Sequence, residues 1–452
     1  VEETQNTFFT IYQKTHPPMS APKIKNYRWL IVVLLFTATT INYLDRQIIG
    51  LLKPILEKEF TWSETDYARI IMAFTAAYAI GLLALGWLID KIGTKKGYSI
   101  TIIFWSVAGM LHALARSAFG FGLARVGLGL GEGGNYPAAV KTVAEWFPKK
   151  ERALATGLFN AGTSVGVVVA LLLVPWILTR YGWQEVFWIT GALGFVWLIF
   201  WLLFYDIPAQ QKRLTTQEYE YIVNGQEKEE QTAGEKSKVN WLKLFSFPQT
   251  WAYITGKGLI DPIYWFFLFW LPSYFASTFS LDLKKPSLEL MLIYTATTVG
   301  SISGGWFSSK LIKRGWPVIK ARKTVILVIA FLELSVLLIQ FATDVWVAVG
   351  LISFAVALHQ AWATNVFTLP SDLFPKQAVS SIVGIGGMAG AVGGIFFPML
   401  IGSLLDTYKA DGNLAGGYNI IFTICGCTYL IAWLIIHLLT RKSKMLELTE
   451  LE

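Results

Sequence analysis

Apolar stretches of about 20 residues, the length of helix that crosses a hydrocarbon core roughly 30 Å thick, recur along the whole chain. They lie near 28–52, 69–89, 98–117, 120–145, 152–178, 184–205, 247–277, 287–309, 323–343, 346–369, 379–405 and 418–440. The segment 206–245 breaks the pattern: with Gln210, Gln211, Lys212, Arg213 and the run Glu227-Lys228-Glu229-Glu230 it is too charged to enter lipid, and it divides the spans six and six. Within it Thr215-Thr216-Gln217-Glu218 has capping-box spacing ahead of Tyr219 to Val223, which predicts a short surface helix. The fold class expected is an all-α membrane protein of 12 transmembrane helices.

The two sets of six repeat one another. Glu145-Trp146-Phe147-Pro148-Lys149, then Gly157 and Gly166, aligns at a single offset with Asp372-Leu373-Phe374-Pro375-Lys376, then Gly384 and Gly393. Gly86-Trp87 with Asp90-Lys91 is echoed by Gly305-Trp306 with Ser309-Lys310. Parallel duplication of six-helix halves around a mid-membrane cavity is a transporter architecture. The expected organisation is a non-native or disordered leader over 1–18, halves over 19–205 and 246–440, a cytoplasmic linker over 206–245 and a cytoplasmic tail over 441–452. The leader, polar and containing Pro17 and Pro18, precedes a start-like Met19-Ser20-Ala21-Pro22 and lacks the apolar core of a signal peptide.

Basic residues orient the chain. Lys91, Lys95 and Lys96, then Lys149, Lys150 and Arg152, then Lys310, Lys313, Arg314, Lys320, Arg322 and Lys323 share one side if the even-numbered connections are cytoplasmic. Both termini are then expected in the cytoplasm of a cell whose inner membrane holds the protein.

Composition agrees: 54% of residues are hydrophobic, 15% are charged, and the mean hydropathy is +0.49. The net charge of +8 sits in the short connections and forms no basic face, so no nucleic-acid partner is expected. Cys425 and Cys427, the only cysteines, fall inside an apolar run and offer neither a disulfide framework nor a zinc site. No metal or cofactor is expected. Gly129-x-Gly131-x-x-Gly134 matches a dinucleotide fingerprint but follows an apolar helix, not a strand. Gly127, Gly131, Gly162, Gly166, Gly386 and Gly390 have the spacing that lets membrane helices approach closely.

Charges inside apolar helices are costly and persist where they face a cavity or one another. In span 1, Asn42-Tyr43-Leu44-Asp45-Arg46 sets an acid beside a base, either as a cavity pair or as a helix-end pair at the interface. In span 4, Arg125 and Glu132 lie two turns apart on one face, which Asn135 and Tyr136 continue. That stripe lines a cavity or forms a packing ion pair, with Asp45 or Glu132 as the partner of Arg125. In the functional reading Arg46 and Arg125 hold a substrate anion, because a guanidinium presents a fork of donors to a carboxylate. Asp45 and Glu132 then carry protons, since an anion that occupies the arginine favours a neutral acid beside it. Further polar candidates are Tyr78, Lys257, Asp261, His359, Gln360, Trp362 and Asn365. Lys257 has Asp261 at i+4 as a ready partner, and His359 is either a proton relay or a hydrogen-bonded structural residue.

The stretch Gly86-Trp-Leu-Ile-Asp90-Lys91-Ile-Gly93-Thr-Lys95-Lys96 resembles the signature loop of the major facilitator superfamily. That resemblance implies a gating role for Asp90 and the surrounding Gly86, Lys91, Gly93, Lys95 and Lys96. Asn42-Tyr43-Leu-Asp45-Arg46, Arg125 with Glu132, Glu145-Trp-Phe-Pro-x-x-Glu151-Arg152, Trp270-Leu271-Pro272, His359-Gln360-Ala-Trp362 and Ser371-Asp372-Leu-Phe-Pro375 resemble the anion:cation symporter family, and within it the bacterial hexuronate and galactonate transporters. The resemblance covers nearly all of residues 19–440. It implies proton-driven uptake of a sugar acid by a non-enzymatic carrier, with Asp45 and Glu132 protonated and with Tyr43, Arg46 and Tyr78 on the substrate. Arg125, Asn135, Gln360 and Asn365 complete the expected substrate set. Hexuronate and aldonate both stay open, as do another organic anion and an exchanger or uniporter of the same fold. The expected partners are a small organic anion, protons and the lipid bilayer, and the expected working unit is a monomer.

Overall fold

The computed structural model describes residues 25–227, 241–374, 376–441 and 446. The leader 1–18, the stretch 228–240 of the polar segment and most of the tail 441–452 lie outside the described residues, as do the side chains of Asp90, Lys149, Lys150 and Arg152.

Helices occupy all twelve predicted spans. The first six are α1 (Tyr27–Phe60), α2 (Glu64–Ile92), α3 (Thr94–Leu111), the pair α4 (Ala118–Glu132) and α5 (Asn135–Trp146), the pair α6 (Lys149–Asn160) and α7 (Gly162–Arg180), and α8 (Trp183–Phe204). The short α9 (Thr216–Glu227) and α10 (Trp241–Leu244) follow. Span 7 is α11 (Pro248–Gly258), α12 (Asp261–Phe269) and α13 (Leu271–Phe279); span 8 is α14 (Leu288–Lys313). Span 9 is α15 (Val318–Glu333), which tightens into a 3-10 helix over Leu334–Phe341. The last three are α16 (Val345–Leu373), α17 (Lys376–Ala410) and α18 (Leu414–Leu439). Among the described residues nine helices are long and apolar enough to cross a membrane. Spans 4 and 7 are interrupted, and span 8 is diluted by its Thr, Ser and Gly residues.

Both interruptions follow from local chemistry. In span 7, Pro262 and Pro272 sit in the first turns of α12 and α13, where each lacks the N–H that would continue the ladder of the preceding turn, so the helix restarts although Ile260 and Trp270 keep helical φ and ψ. In span 4, Gly133 and Gly134 end α4 and start α5 afresh at Asn135. The polar stripe read from the sequence thus runs over two helices, with Arg125 and Glu132 on α4 and Asn135 and Tyr136 opening α5, while Gly133 and Gly134 between them keep helical φ and ψ.

The glycines of α4 serve packing. A Cβ on Gly133 would stand 2.6 Å from the carbonyl carbon of Gly81 on α2, and one on Gly131 2.7 Å from the backbone nitrogen of Trp105 on α3. Backbone meets backbone, which fixes the helices by close van der Waals contact. The second half repeats the device between α14 and α16, where a Cβ on Gly304 would lie 2.5 Å from Cα of Ala361.

The predicted capping box at Thr215 forms in part. Thr215 Oγ1 accepts the Glu218 N–H at 3.3 Å, but the Glu218 carboxylate turns away to accept the Tyr27 N–H at 2.8 Å and the Arg28 N–H at 3.2 Å. It thereby caps α1. The Glu145 and Glu151 motif is a hub at the same end: Thr94 Oγ1 donates to Glu145 at 2.6 Å, and Arg28 and Tyr221 reach Glu151 at 3.0 and 2.6 Å. Its echo in the second half pairs Asp372 with Arg322 at 3.2 Å.

Across the halves α2 packs on α17 and α7 on α14. Polar contacts between the halves gather toward the end that carries the α1–α2, α13–α14 and α17–α18 connections. Lys53, buried, pairs with Glu64 at 2.7 Å and reaches Ser273 of α13 at 3.0 Å. Tyr67 donates to the Phe269 carbonyl at 2.9 Å. Asp406 of α17 accepts the Glu64 and Thr65 N–H groups at 2.7 and 2.8 Å, so a carboxylate from one half caps a helix of the other, while Lys409 pairs with Glu57. Toward the opposite end the charges pair inside their own halves, as Lys95 with Asp206 and Arg322 with Asp372, and a Cβ on Gly157 or Gly387 would meet open space. The molecule is closed at one end and open at the other.

Replacing Asp406 by Asn removes a charged cap of about 1–2 kcal/mol, shifting the balance between closed and open forms of this end by roughly five- to thirtyfold. Spin labels at the exposed positions Lys58 and Asp411 should report the longer inter-half distance more often in Asp406→Asn than in the parent; an unchanged distance distribution refutes the latch.

Candidate functional site

α1, α2 and α4 bring the sequence-predicted charges together in mid-membrane. Arg46 donates from Nε and Nη2 to the same oxygen of Glu132, Oε2, at 3.0 and 2.9 Å. Its Nη2 also approaches Asn42 Oδ1 at 3.4 Å. Both charged side chains are almost fully buried, at 2% and 0% exposure. The second oxygen of Glu132, Oε1, accepts no hydrogen bond.

Four rings surround the Arg46 guanidinium. Tyr43 stands 4.6 Å away, Tyr78 4.7 Å, Phe74 5.2 Å and Trp265 5.5 Å. Three belong to the first half, while Trp265 comes from α12 in the second, where it also contacts Phe74 and Tyr78. Aromatic faces favour a cation electrostatically and shut water away from it. The cage therefore exists complete only while the halves meet.

Arg125 and Asp45 lie deeper. Arg125 has no exposed surface; its Nη2 donates weakly to the Arg46 carbonyl at 3.4 Å, and its Nε and Nη1 have no hydrogen-bond partner. Neither oxygen of Asp45 accepts a hydrogen bond, and the neighbouring Thr190 hydroxyl donates to the Val186 carbonyl at 2.8 Å. Arg125, Asp45 and Glu132 interact through space at this depth. The packing ion pair and the cavity pair read as alternatives from the sequence thus coincide, and the partner of Glu132 is Arg46, not Arg125.

The remaining predicted residues sit elsewhere. Asn135 accepts the Tyr98 hydroxyl at 2.6 Å and holds α5 to α3. The Asn365 amide donates to the Gly304 and Ala361 carbonyls at 3.0 and 2.9 Å, which ties α16 to α14 and leaves its Oδ1 without a partner. Gln360 is half-buried on α16. Lys257 is paired with Asp261 at 2.5 Å and lies over the Phe367 ring at 4.0 Å. His359 stacks on Tyr264, with centroids 5.3 Å apart, and hydrogen-bonds through Nδ1 to the Tyr429 hydroxyl at 2.7 Å. In the loop motif, Gly86 packs on Pro137, Lys91 covers Trp87, Gly93 takes a left-handed φ of 87° between α2 and α3, Lys95 pairs with Asp206 at 2.7 Å, and Lys96 is exposed. The Asp90 side chain lies outside the described residues.

Sequence reading missed Trp265, Tyr264 and Phe74. The available signal was the aromatic run Tyr264-Trp265-Phe266-Phe267 directly after Pro262, at a helix break inside the membrane.

The arrangement has the chemistry to bind an anion. Two guanidinium groups face two carboxyl groups in a site sealed by aromatic rings, so any neutralised acid leaves a cation without its counter-charge. Among the described residues no group of three or more His, Cys, Asp or Glu side chains is placed to hold a metal.

Comparison with known proteins places this geometry. A family model described as Major Facilitator Superfamily matches residues 35–398. The hexuronate transporter of Escherichia coli K12 is 32% identical over 430 residues, covering 95% of this chain and 97% of its own. The galacturonate transporter of Dickeya chrysanthemi is 34% identical over 330 residues, covering 73% of this chain and 95% of its own. A solved bacterial homolog of the human lysosomal transporter Spinster, inward-facing and unoccupied, superposes with a TM-score of 0.74 at 18% identity, covering 92% of this chain and 98% of that one, a likeness of fold. On these grounds the chain belongs to the major facilitator superfamily, as a multi-pass membrane transporter and not an enzyme.

Proposed function

We propose that the protein imports a hexuronate anion such as glucuronate or galacturonate by proton symport, through alternating access across a bacterial inner membrane. The observation that carries this reading is the buried pair of Arg46 and Glu132 inside its aromatic cage, backed by Arg125 and Asp45. The sugar-acid class is supported by the relatives named above.

Charge balance supplies the coupling. With both acids ionised, two guanidinium and two carboxylate groups sum to zero. One proton on Glu132 or Asp45 leaves a single positive charge, and one sugar-acid carboxylate on Arg46 cancels it. Proton without anion, or anion without proton, leaves net charge buried in low dielectric at a cost of several kcal/mol. The two ligands therefore cross together.

Arg46 is the group that meets the substrate carboxylate, because its fork is released when Glu132 is neutralised. Tyr43, Tyr78 and Trp265 offer hydroxyl and ring contacts to the sugar face. Arg125, without surface of its own, holds a positive field behind both acids. Asn135, Gln360 and Asn365 join the substrate only in a conformation that frees them.

The positive connections and both termini face the cytoplasm in this reading, together with the linker 206–245. The sealed end is then periplasmic and the open end cytoplasmic. One chain supplies every group of the site, so a monomer suffices. Gly86, Asp90, Lys91, Gly93, Lys95 and Lys96 latch the cytoplasmic side when the molecule opens outward.

In proteoliposomes with an imposed pH gradient, the purified protein should accumulate radiolabelled glucuronate or galacturonate, and collapse of the gradient should abolish accumulation. Uptake of galactonate alone would move the substrate to the aldonates, and uptake unaffected by the gradient would make the protein a uniporter or exchanger.

Glu132→Gln should lose proton-driven accumulation and keep substrate exchange, because the amide neither binds nor releases the coupling proton. Retained accumulation removes Glu132 from the role. Arg46→Lys, which keeps the charge and loses the fork, should lower kcat/KM for uptake at least about tenfold, or about 1.4 kcal/mol. Uptake at the parental rate would show that Arg46 does not meet the carboxylate.

A further inference from the structure

Glu333 ends α15 about 22 Å along the helix axis from Val318, at the 1.5 Å rise per residue of an α-helix, and so lies within the membrane. It is 1% exposed, and its Oε1 accepts no hydrogen bond. Among the described residues it has no cationic partner: the groups that face it are the Tyr429 hydroxyl and the Cys425 thiol, both on α18. The helix changes from α to 3-10 at the next residue, so the carboxyl sits at a break in the backbone ladder of its own span.

From Glu333 a chain of exchangeable groups leads inward. The Tyr429 hydroxyl meets His359 Nδ1 at 2.7 Å and is the polar neighbour of the Glu333 carboxyl where α15 packs on α18. His359 stacks on Tyr264 of α12, next in sequence to Trp265, whose ring lies 5.5 Å from the Arg46 guanidinium in the central site. The charged groups nearby are already paired: Lys257 of α11, which faces His359, and Asp261 of α12, which faces Tyr429, hold each other at 2.5 Å.

We infer that Glu333 is a second, reversible proton-binding site in the C-terminal half, loaded from the central cavity through His359 and Tyr429. The transfer balances. A proton taken up at Nε2 of His359 makes the imidazolium, Nδ1 passes its proton to the Tyr429 oxygen, and Tyr429 passes its own proton to the Glu333 carboxylate. His359 ends neutral with Nε2 protonated and Nδ1 as the acceptor, and the hydrogen bonds of the chain have reversed direction. Reversal of all three steps returns the proton. The site depends neither on the substrate nor on the roles given to Asp45 and Glu132.

Infrared difference spectroscopy on the purified full-length protein in liposomes, without substrate, tests this. The protonated-carboxyl stretch should contain a component that is lost as pH rises and restored as it falls. That component should be absent from Glu333→Gln, and its shift on transfer to deuterated water should slow at least about tenfold in Tyr429→Phe. A Glu333 component that is present at every pH identifies a permanently neutral structural acid and overturns the proposal, as does one absent at every pH. Unchanged exchange in Tyr429→Phe overturns the route. Because no transport is measured, failure here leaves the central coupling reading intact, and failure of uptake leaves this site intact.

Discussion

The cost of holding charge away from water governs this molecule. Arg46, Arg125, Asp45 and Glu132 all lie within the thickness of the membrane with almost no exposed surface, a placement tolerable only while their charges sum to zero. Their arrangement is uneven: one oxygen of Glu132 takes two bonds from Arg46, while its other oxygen, both oxygens of Asp45 and two nitrogens of Arg125 go without. A structure built only for rigidity would have satisfied them. The surplus donors and acceptors are what the proposed proton and anion would satisfy, beneath aromatic rings drawn from both halves.

Much of this was legible in the sequence. Twelve apolar runs, the six-and-six division and the Asp45-Arg46 and Arg125–Glu132 pairs required only hydropathy, repetition and the rarity of intramembrane charge. What escaped has physical reasons. Helical periodicity runs straight through Gly133-Gly134 and so hides that span 4 is built of two helices, α4 and α5. Trp265 reaches Arg46 only because two halves more than two hundred residues apart meet there, and no local pattern encodes that. Glu333, a lone acid in an apolar run, was visible, but its neighbours Tyr429 and His359 come from two other helices.

Two kinds of contact join the helices. Inside each half, glycine backbones lie directly on neighbouring backbones, as Gly133 on Gly81 and Gly304 on Ala361, with no side chain to rearrange. Between the halves the closed end combines a close approach of Gly402 to the Glu64 and Thr65 backbone with hydrogen bonds and ion pairs at Lys53, Tyr67 and Asp406, which are individually weak and can re-form with water. In the alternating access proposed above, the polar contacts of this seam are the ones that would exchange with water, and Trp265 crosses the same seam at the site.

The Asp406 cap also has a genetic asymmetry. Its acceptor is a side chain, but its donors are the main-chain N–H groups of Glu64 and Thr65, which every amino acid except proline supplies. Drift at positions 64 and 65 leaves those two donors in place, whereas a single codon at 406 removes or restores their acceptor. The cap can therefore be tuned across a population of variants from position 406, while position 65 keeps its donor through any change but proline and position 64 is held only by the separate pair of Glu64 with Lys53.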